Sequence, residues 1–452
     1  MTALPDRLLT HATRNLPRYT SYPTALAFEP AQGDADLRRW LGDIQPHDTL
    51  SIYAHIPFCE RLCWYCGCHT SVPNGYARIA RFLDQLKREI TLWADALPAH
   101  AGTAHLHFGG GSPNSLNTTD FAELLVLLAA RFPLRPGAEV AVELDPGNLD
   151  RGFARGLGAA GATRASLGVQ TCDPEVQRLV NRIQPLEQVA TAVEDLRGGG
   201  VGAINFDMMY GLPGQTPENV TTSMEAALSL QPDRVALFGY AHVPWMKKHQ
   251  AVIRDADLAD VSGRWAQAEA AETVLSAHGY VRIGMDHYAR PGDPMAARLA
   301  DGTLHRNFQG YTDDPSAVLI GLGPSAISSL PYAYAQNRLR VDDWAADITA
   351  GRLPVGRQLE TTSDDRLRRT VIERLMCDLE VDIGSVCLDH GREVSTLDPA
   401  IAAARALEPD GLCQVDGRRI HVPHDMGRLV RVVAACFDNR PITAPKRHSA
   451  AV

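Results

Sequence analysis

SIYAHIPFCERLCWYCGCHT occupies residues 51–70 and joins a strand pattern to four cysteines. The apolar, β-branched run at 51–56 predicts the first strand of a parallel sheet, with the cysteines on the loop that follows. Cys59, Cys63 and Cys66 have the spacing C-x3-C-x2-C. Three thiolates on one loop can hold three irons of a cubic iron–sulfur cluster and leave the fourth iron open to a small molecule.

A structural zinc site is the alternative interpretation of this loop, with Cys68, His55 or His69 as the fourth ligand. Zinc sites usually combine two ligand pairs separated by a longer stretch, and the sequence contains no second pair. The local pattern therefore favours the cluster.

The cysteine spacing also resembles the signature of radical S-adenosylmethionine (SAM) enzymes. The resemblance implies a [4Fe–4S] cluster held by Cys59, Cys63 and Cys66, whose open iron binds the amino and carboxylate groups of SAM. It further implies that reduction of the sulfonium releases a 5'-deoxyadenosyl radical. Cys68 is excluded from this ligand set, because its binding would close the open iron.

Length and composition limit the classes of protein. The 452 residues are 45% hydrophobic and 21% charged, which fits a large catalytic domain with a smaller second domain. No apolar stretch is long enough for a membrane span, and the first residues lack a signal-peptide core. The net charge of −9 gives no electrostatic basis for a nucleic-acid partner. Nine cysteines, four of them crowded into one loop, predict a reduced, cytoplasmic protein.

Short apolar runs alternate with helical patterns from residue 50 to about 330, which predicts an α/β fold with a parallel sheet. About six βα units predict a full or partial barrel, and an open doubly wound sheet is the alternative. We expect one helix that begins with Asp120 as its N-cap and another that spans about residues 174–196. The candidate strands are 51–56, 104–108, 140–144, 165–169, 203–208, 235–240 and 280–284.

Polar or glycine-rich residues follow successive strands, where the chemistry of parallel α/β folds collects. Glu143 or Asp207 can bind ribose hydroxyls or an ammonium group, and Arg182 can bind a carboxylate through its planar fork. Gln170 offers both a donor and an acceptor, while the glycines at 109–111 allow a ligand to approach the backbone. We therefore expect these strand ends to form one site.

The two ends of the chain differ from this pattern. Residues 17–23 (PRYTSYP) form an extended, aromatic strap, either a lid over a pocket or ordinary packing. Near the C-terminus, helices at 363–378 and 429–437 flank a hairpin pattern around Gly417, as in a winged helix. Thirteen Lys and Arg against fourteen Asp and Glu over 361–452 argue against nucleic-acid binding, so we interpret this region as a support or lid. The tail after Arg440 is expected to be loose.

Most of the chain is similar to the oxygen-independent coproporphyrinogen III oxidase (dehydrogenase) family. The resemblance rests on PRYTSYPTA, YAHIPFCERLCWYCGC, HFGGGSP, VELDP, LGVQ, LVNR, NFDMMYGLP, GYAHVP, GMDHYA, HRNFQGY and GPSAIS. It implies a partial (βα)6-type radical SAM barrel at 49–330, an N-terminal strap at 1–48 over the active site, and a smaller, mainly helical, winged-helix-like domain at 331–452.

The resemblance implies anaerobic oxidative decarboxylation of two propionate side chains of coproporphyrinogen III to vinyl groups, which gives protoporphyrinogen IX. A haem chaperone of the same superfamily, which binds haem without decarboxylase activity, is the alternative. Cys68 after Gly67, and Asp286-His287, favour the enzyme. A one-electron donor such as flavodoxin or ferredoxin is implied as a partner, and we expect a monomer.

The family's motifs also assign site residues. Two SAM molecules are implied. Tyr53, Gly110, Glu143, Ala241 and Ile327 would surround the cluster-bound molecule, and the second would lie among Tyr65, Gly111, Ser112, Gln170, Arg182 and Asp207. A tetracarboxylate substrate needs cationic partners. The candidate substrate contacts are Arg18, Tyr19, Tyr22, His305 and Arg306.

Overall fold

The computed structural model of the protein describes residues 4–440. Its strands are β1 (Glu29–Pro30), β2 (Leu50–Ile56), β3 (Thr103–Gly110), β4 (Leu134–Leu144), β5 (Arg164–Gln170), β6 (Ala203–Tyr210), β7 (Arg234–Gly239), β8 (Val281–Ile283), β9 (His287–Ala289), β10 (His305–Asn307), β11 (Gly310–Thr312), β12 (Val318–Leu322), β13 (Ile327–Ser329), β14 (Ala333–Asn337), β15 (Val355–Glu360), β16 (Glu380–Asp382), β17 (Gln414–Asp416) and β18 (Arg419–His421). Its helices are α1 (Asp6–Ala12), α2 (Ala35–Leu41), α3 (Tyr76–Ala96), α4 (Thr118–Arg131), α5 (Arg151–Ala159), α6 (Pro174–Leu179), α7 (Leu186–Gly198), α8 (Pro217–Ser229), α9 (Val261–Ala277), α10 (Pro294–Ala300), α11 (Val341–Thr349), α12 (Ser363–Asp378), α13 (Ile383–Asp389), α14 (Asp398–Arg405) and α15 (Val430–Ala434).

Seven neighbouring strands form a parallel array in the order β12-β2-β3-β4-β5-β6-β7. From β2 onward each strand is followed by helix α3, α4, α5, the pair α6 and α7, α8, or α9. The order follows the chain from β2 to β7, whereas a doubly wound sheet reverses at its first strand. At the ends, β12 pairs with antiparallel β13, and β7 pairs with antiparallel β9. The array is thus an open, partial (βα)6-type barrel, which confirms the predicted fold class.

The inside of this barrel is polar. In β6, Ile204, Phe206 and Met208 are buried beneath the helices, while Asn205 and Asp207 line a cavity inside the barrel. A closed barrel core is normally filled with branched apolar side chains. Here the inward positions carry hydrogen-bonding and charged groups, so the barrel interior is available for a site.

The sheet continues beyond residue 330, the expected end of the barrel domain. β13, β14, β15 and β1 extend it as antiparallel strands. The chain leaves the sheet after β15, and the C-terminal domain begins with α12 at Ser363. The boundary predicted at 330/331 lies between β13 and β14 of this sheet, and the division of the chain into domains stays a prediction.

The C-terminal domain combines α12 to α15 with a three-stranded sheet in the order β16-β18-β17. The predicted hairpin around Gly417 is β17 and β18. Helix α1, which the sequence reading missed, buries Leu8 and Ala12 in the apolar core of this domain, beside Leu375 and Phe437. The N-terminal segment is thus part of that core. The expected loose tail after Arg440 lies outside the described residues.

Two helix predictions were wrong in detail. The N-cap of α4 is Asn117, whose side chain accepts a hydrogen bond from Asp120 N, so Asp120 belongs to the first turn. The helix predicted over 174–196 is two helices, α6 and α7. Asn181 in the break has a left-handed backbone (φ 55°), and Pro185 cannot continue a helix interior. The break places Arg182 on a loop.

Among residues 4–440, none of the helices has the length and apolar character that a membrane crossing requires.

Candidate active site

The three cysteines line one cavity of about 150 Å³ at the carboxyl ends of the parallel strands. We call it the cofactor cavity. Eight of the eleven predicted cofactor-binding residues lie in its wall: Tyr65, Gly110, Gly111, Ser112, Glu143, Gln170, Arg182 and Asp207. These residues come from separate strand ends, as the sequence pattern predicts.

Each cysteine sulfur in this wall has a hydrogen-bonding neighbour. Thr70 Oγ1 lies 3.1 Å from Cys59 Sγ, and Arg182 Nη1 lies 3.5 Å from Cys63 Sγ. Cys68 N donates to Cys66 Sγ at 3.4 Å. Burial raises the pKa of Cys59 to about 11, while a hydrogen bond from the side chain of Cys68 lowers the pKa of Cys66. The surroundings thus favour the metal-binding thiolate form at Cys66 and the neutral thiol at Cys59.

These residues fit an iron–sulfur cluster better than a single ion. Ligands of one ion must converge on one point. Within residues 4–440, no three His, Cys, Asp or Glu side chains do so. The ligands of a cubic cluster bind different irons, so three separate sulfurs around one cavity suit it. Cys68 also lines this cavity, although it is the exposed cysteine of the loop, so its exclusion from the ligand set stays a prediction.

The glycine run after β3 is required by close packing against the protein itself. A Cβ on Gly109 would lie 2.7 Å from the Glu143 carboxylate, and one on Gly110 would lie 2.4 Å from the His55 ring. Gly110 also has a φ of +107°. A Cβ on Gly111 would lie 2.4 Å from Phe58 O. The run lets the end of β3 approach the cysteine loop and Glu143.

Glu143 is held as a carboxylate that faces the cavity. His107 Nε2 lies 2.9 Å from Glu143 Oε1, and Gly110 N donates to Oε2 at 3.2 Å. Burial alone would raise the pKa of Glu143, but His107 and Gly110 hold it below its usual value. The side chain keeps 37% of its surface accessible, so it can still bind a cationic or hydroxyl group of a ligand.

Asp207 shares the cavity with Glu143 and has the opposite shift. Ser166 Oγ and Asn205 Nδ2 each donate to its carboxylate at 3.1 Å. Burial, with the charge of Glu143, raises the pKa of Asp207 to about 7. The two carboxylates therefore titrate in different pH ranges, a separation that is common at functional sites.

Arg182 already holds a protein carboxylate. Its Nη1 and Nη2 lie 3.1 Å from the two oxygens of Asp145, and Nη2 also donates to Gly168 O at 2.8 Å. Gln170 stands beside it with a left-handed backbone (φ 67°) at an irregular point in the pairing of β5 and β6. Such strained positions collect at ligand sites. Arg182 thus links β4, β5 and Cys63, while its guanidinium still lines the cavity.

Three predicted cofactor-binding residues lie off this wall. Tyr53 stacks on His107 with ring centroids 5.7 Å apart, and His107 in turn contacts Glu143. The backbone of Ile327 passes so close to Gly321 that a Cβ on Gly321 would lie 2.7 Å from Ile327 O. Ala241 follows β7 on the loop after Tyr240. Their contact with SAM stays a prediction.

A larger cavity of about 430 Å³ lies between the N-terminal segment, the hairpin β10–β11 and α12. We call it the N-terminal cavity. Four of the five predicted substrate contacts line it, namely Tyr19, Tyr22, His305 and Arg306. Arg18, the fifth, donates to Gly239 O at 3.0 Å and lies outside this wall.

The hydroxyl groups of the two tyrosines serve as anchors. Tyr19 donates to Asp438 Oδ2 at 3.1 Å, and Tyr22 donates to Asn439 Oδ1 at 2.6 Å. The side chains are 4% and 1% exposed. Their polar ends therefore bind Asp438 and Asn439, and their contact with the substrate stays a prediction.

Arg306 has hydrogen-bond donors that remain without acceptors. Its Nη2 donates to Arg18 O at 3.3 Å, and its guanidinium stacks 4.2 Å over the Tyr311 ring. Its buried Nε and Nη1 find no acceptor within residues 4–440. A buried donor without a partner is costly, so a carboxylate ligand suits this position.

The barrel interior forms a third cavity, of about 290 Å³, which lies between the cofactor cavity and the N-terminal cavity. Its wall shares Glu143, Ser166 and Asp207 with the cofactor cavity. It shares Ser51, Thr312 and Asp314 with the N-terminal cavity. Its floor carries ion pairs from Arg164 to Glu139 at 3.0 Å and from Arg234 to Asp293 at 2.8 Å.

Several residues of the site were missed by sequence reasoning. Asp145 belongs to the VELDP motif, yet its pairing with Arg182 depends on a loop 37 residues away. His107 alternates with apolar neighbours in β3, so the alternation of side chains along a strand could have predicted that it faces inward. Thr70 gave no local signal, because its role follows from the return of the loop to Cys59.

Comparisons with known proteins agree with this geometry. The profile of the radical SAM superfamily matches residues 53–227. The chain is 43% identical over 447 residues to the oxygen-independent coproporphyrinogen III oxidase of Bradyrhizobium diazoefficiens, with 99% of each chain covered. It is 37% identical to that of Escherichia coli, with 93% of this chain and 92% of the relative covered.

The chain belongs to the oxygen-independent coproporphyrinogen III oxidase family.

A solved structure of this family has the same fold. Coproporphyrinogen III oxidase from Escherichia coli, described as a radical SAM enzyme, superposes with a TM-score of 0.89 at 35% sequence identity. The match covers 94% of this chain and 100% of that chain. The protein is thus a radical SAM oxidoreductase, a class whose cofactors are a [4Fe–4S] cluster and SAM.

Proposed function

We propose that the chain catalyses the anaerobic oxidative decarboxylation of two propionates of coproporphyrinogen III to vinyl groups, giving protoporphyrinogen IX in haem biosynthesis. The observation that carries this proposal is the shared wall of three cavities. A cysteine-lined cavity meets a polar barrel interior, which meets a larger cavity lined by Arg306, whose Nε and Nη1 have no acceptor within residues 4–440. Family membership over nearly the whole chain supports the same reaction.

The chemistry explains why such a site is needed. The Cβ–H bond of a propionate is not acidic, so a general base at neutral pH has little to act on. The cluster and SAM, when bound, would supply a carbon radical that removes this hydrogen atom. The substrate radical would then lose CO2 and pass one electron to a separate electron acceptor, which leaves the vinyl group. The remaining tasks of the protein are to orient the reactants and to exclude water.

The residues of the cofactor cavity have separate tasks. Cys59, Cys63 and Cys66 would hold the cluster. Glu143 is ionised and accessible, so it would bind an ammonium or hydroxyl group of SAM. The pairing of Arg182 with Asp145 keeps a cation beside Cys63, which offsets negative charge there.

We further propose that two SAM molecules bind. Residues assigned to both molecules, Glu143 of the first and Asp207 of the second among them, line one cavity. The first molecule would also contact Tyr53, Ala241 and Ile327. A second molecule suits a reaction with two decarboxylations.

The N-terminal cavity would hold carboxylates of the substrate. Its volume of about 430 Å³ falls within the range of small-molecule sites, about 300–1,000 Å³. Arg306 would pair with a propionate through its free Nε and Nη1, and His305 lies beside it. The ion pairs on the barrel floor would limit the entry of water from below.

The proposal includes three properties of the protein in the cell. It would receive electrons one at a time from a donor such as flavodoxin or ferredoxin. It would work as a monomer in the cytoplasm. The reaction calls for the electron donor, and the free cysteines fit a reducing compartment.

Anaerobic reconstitution with iron and sulfide, followed by incubation with SAM, a reductant and coproporphyrinogen III, tests the function. We expect protoporphyrinogen IX, measured by fluorescence after oxidation to the porphyrin, with two CO2 per product. Tight haem binding without any porphyrin product would support the haem chaperone instead.

A further inference from the structure

A surface segment, residues 243–254, lies directly over the cysteine loop, and we call it the covering loop. Lys247 Nζ donates to Cys68 O, and Gln250 Nε2 donates to Tyr65 O, each at 2.8 Å. His249 Nε2 lies 2.8 Å from Cys66 O. Because a carbonyl oxygen only accepts, His249 carries its proton on Nε2. A single hydrogen bond thus connects the covering loop to Cys66, one of the expected cluster ligands.

The outer side of the covering loop is apolar and exposed. Trp245 is 53% exposed, Met246 is 58% exposed, and Val252 is 59% exposed. Single exposed apolar residues are ordinary, but here three lie within eight residues. Tryptophan and methionine are enriched in protein–protein interfaces, where tryptophan is a frequent anchor. Their position over the cysteines sets this surface apart from the other faces of the barrel.

The charge of the covering loop opposes the charge of the whole protein. The sequence has only four lysines, and Lys247 and Lys248 are two of them, in a chain of net charge −9. Neither lysine forms an ion pair within residues 4–440, and the loop contains no Asp or Glu. At the end of the loop, Arg254 pairs with Asp257 at 2.6 Å, and Asp255, just beyond the loop, is an exposed carboxylate 3.2 Å from His242.

We propose that the covering loop docks an acidic one-electron carrier protein. The proposal rests on the proposed function, which requires a reductant for the cluster. A cationic surface attracts an acidic partner and speeds its association, while the apolar anchors hold the complex briefly. In the complex the carrier loses one electron and the cluster gains it. The hydrogen bonds from Lys247 and His249 to the cysteine loop join the docked surface to the cluster.

Binding is measured with the cluster-loaded enzyme under anaerobiosis, with flavodoxin and a plant-type ferredoxin as two separate probes. Isothermal titration gives the dissociation constant at low and at high salt. We expect Lys248→Glu, and separately the pair Trp245→Ser and Met246→Ser, to weaken binding of at least one probe by about tenfold or more. The charge reversal should also reduce the salt dependence of binding.

Matched controls lie elsewhere on the surface. Lys87→Glu reverses the other described lysine, on α3, and Val126→Ser removes a side chain that is 69% exposed on α4. Both should leave the dissociation constants within about twofold. Equal binding of both probes to wild type and covering-loop variants, or no binding of either probe, would overturn the proposal.

Turnover separates this proposal from the proposed function. With dithionite in place of the carrier protein, the Lys248→Glu variant should form product at the wild-type rate, because the small reductant needs no docking surface. Absence of product with dithionite in the wild type would refute the proposed function, while the binding data would still decide the docking surface. A dimer in sedimentation that the Trp245→Ser, Met246→Ser variant abolishes would assign the surface to a second copy of the chain and overturn the docking proposal.

Discussion

The cofactor cavity and the N-terminal cavity are built in different ways. The first takes its wall from the ends of successive strands of one parallel sheet. The second is assembled from residues 19–22, the hairpin β10–β11 and α12, of which the first segment is far from the other two in the sequence. Repeated βα geometry makes the first readable from sequence, whereas the second depends on tertiary packing. The two cavities should therefore respond separately to substitution.

The largest effect is expected at the cysteine loop. Replacement of Cys59, Cys63 or Cys66 by Ser should abolish the cluster and turnover, because three ligands are the minimum for three irons. Iron and sulfide content, with electron paramagnetic resonance, measures this loss. The control is Cys68→Ser, which should keep the cluster. Equal loss in that variant would show that the three-ligand assignment is wrong.

Arg182→Ala is expected to damage both the fold and the chemistry of the cofactor cavity. The substitution removes the bidentate partner of the buried Asp145 carboxylate and leaves Arg61, 3.8 Å away, as a cation beside it, so we expect a loss near the lower end of about 3–5 kcal/mol of unfolding free energy. Anaerobic urea unfolding measures this change. Gln170→Ala is the control and should cost under about 1 kcal/mol while it reduces SAM binding. Similar stability losses in both variants would contradict the role assigned to the ion pair.

Local patterns predicted the parallel strands and the side chains at their ends. Strands β2 to β7 each carry buried apolar residues. Glu143, Gln170 and Asp207 lie towards the carboxyl ends of β4, β5 and β6. The partners of these residues were not predictable in the same way. Asp145 and Arg182 meet only because a helix breaks between α6 and α7, and a periodic reading runs through that break.

Arg306→Ala is expected to affect the N-terminal cavity alone. Loss of a partner for one propionate should raise the KM for coproporphyrinogen III by about 10- to 100-fold, as the loss of one charge-assisted pair implies. Cluster content and SAM affinity should remain at wild-type values. Steady-state kinetics with parallel SAM titration makes the comparison. Unchanged KM would remove Arg306 from the substrate site, and loss of SAM binding would show that the cavities are not separable.

The smallest effect is expected from Tyr22→Phe. Its hydroxyl donates to Asn439 in the C-terminal domain, so the variant should lose about 0.5–1.5 kcal/mol of unfolding free energy. Its KM should stay at the wild-type value, because the hydroxyl serves the fold. A raised KM with unchanged stability would instead support the predicted contact between this hydroxyl and the substrate.

Short antiparallel strands and the N-terminal helix were beyond the reach of sequence patterns. β10, β11 and β13 have three residues each, too few to show alternation. Helix α1 has seven residues and is stabilised by packing on the C-terminal core, with little help from its own propensity. The strap at 17–23 was recognised as unusual, yet its attachment to Asp438 and Asn439 required the folded chain.

The transfer of deuterium tests the central claim most directly. Coproporphyrinogen III labelled with deuterium at the propionate β-carbons is incubated anaerobically with the reconstituted enzyme, SAM and dithionite, and 5'-deoxyadenosine is analysed by mass spectrometry. We expect deuterium in 5'-deoxyadenosine and the loss of one of the two deuterium atoms from each converted β-carbon, because the substrate in the barrel faces the cofactor cavity. Unlabelled 5'-deoxyadenosine alongside intact coproporphyrinogen III would contradict it.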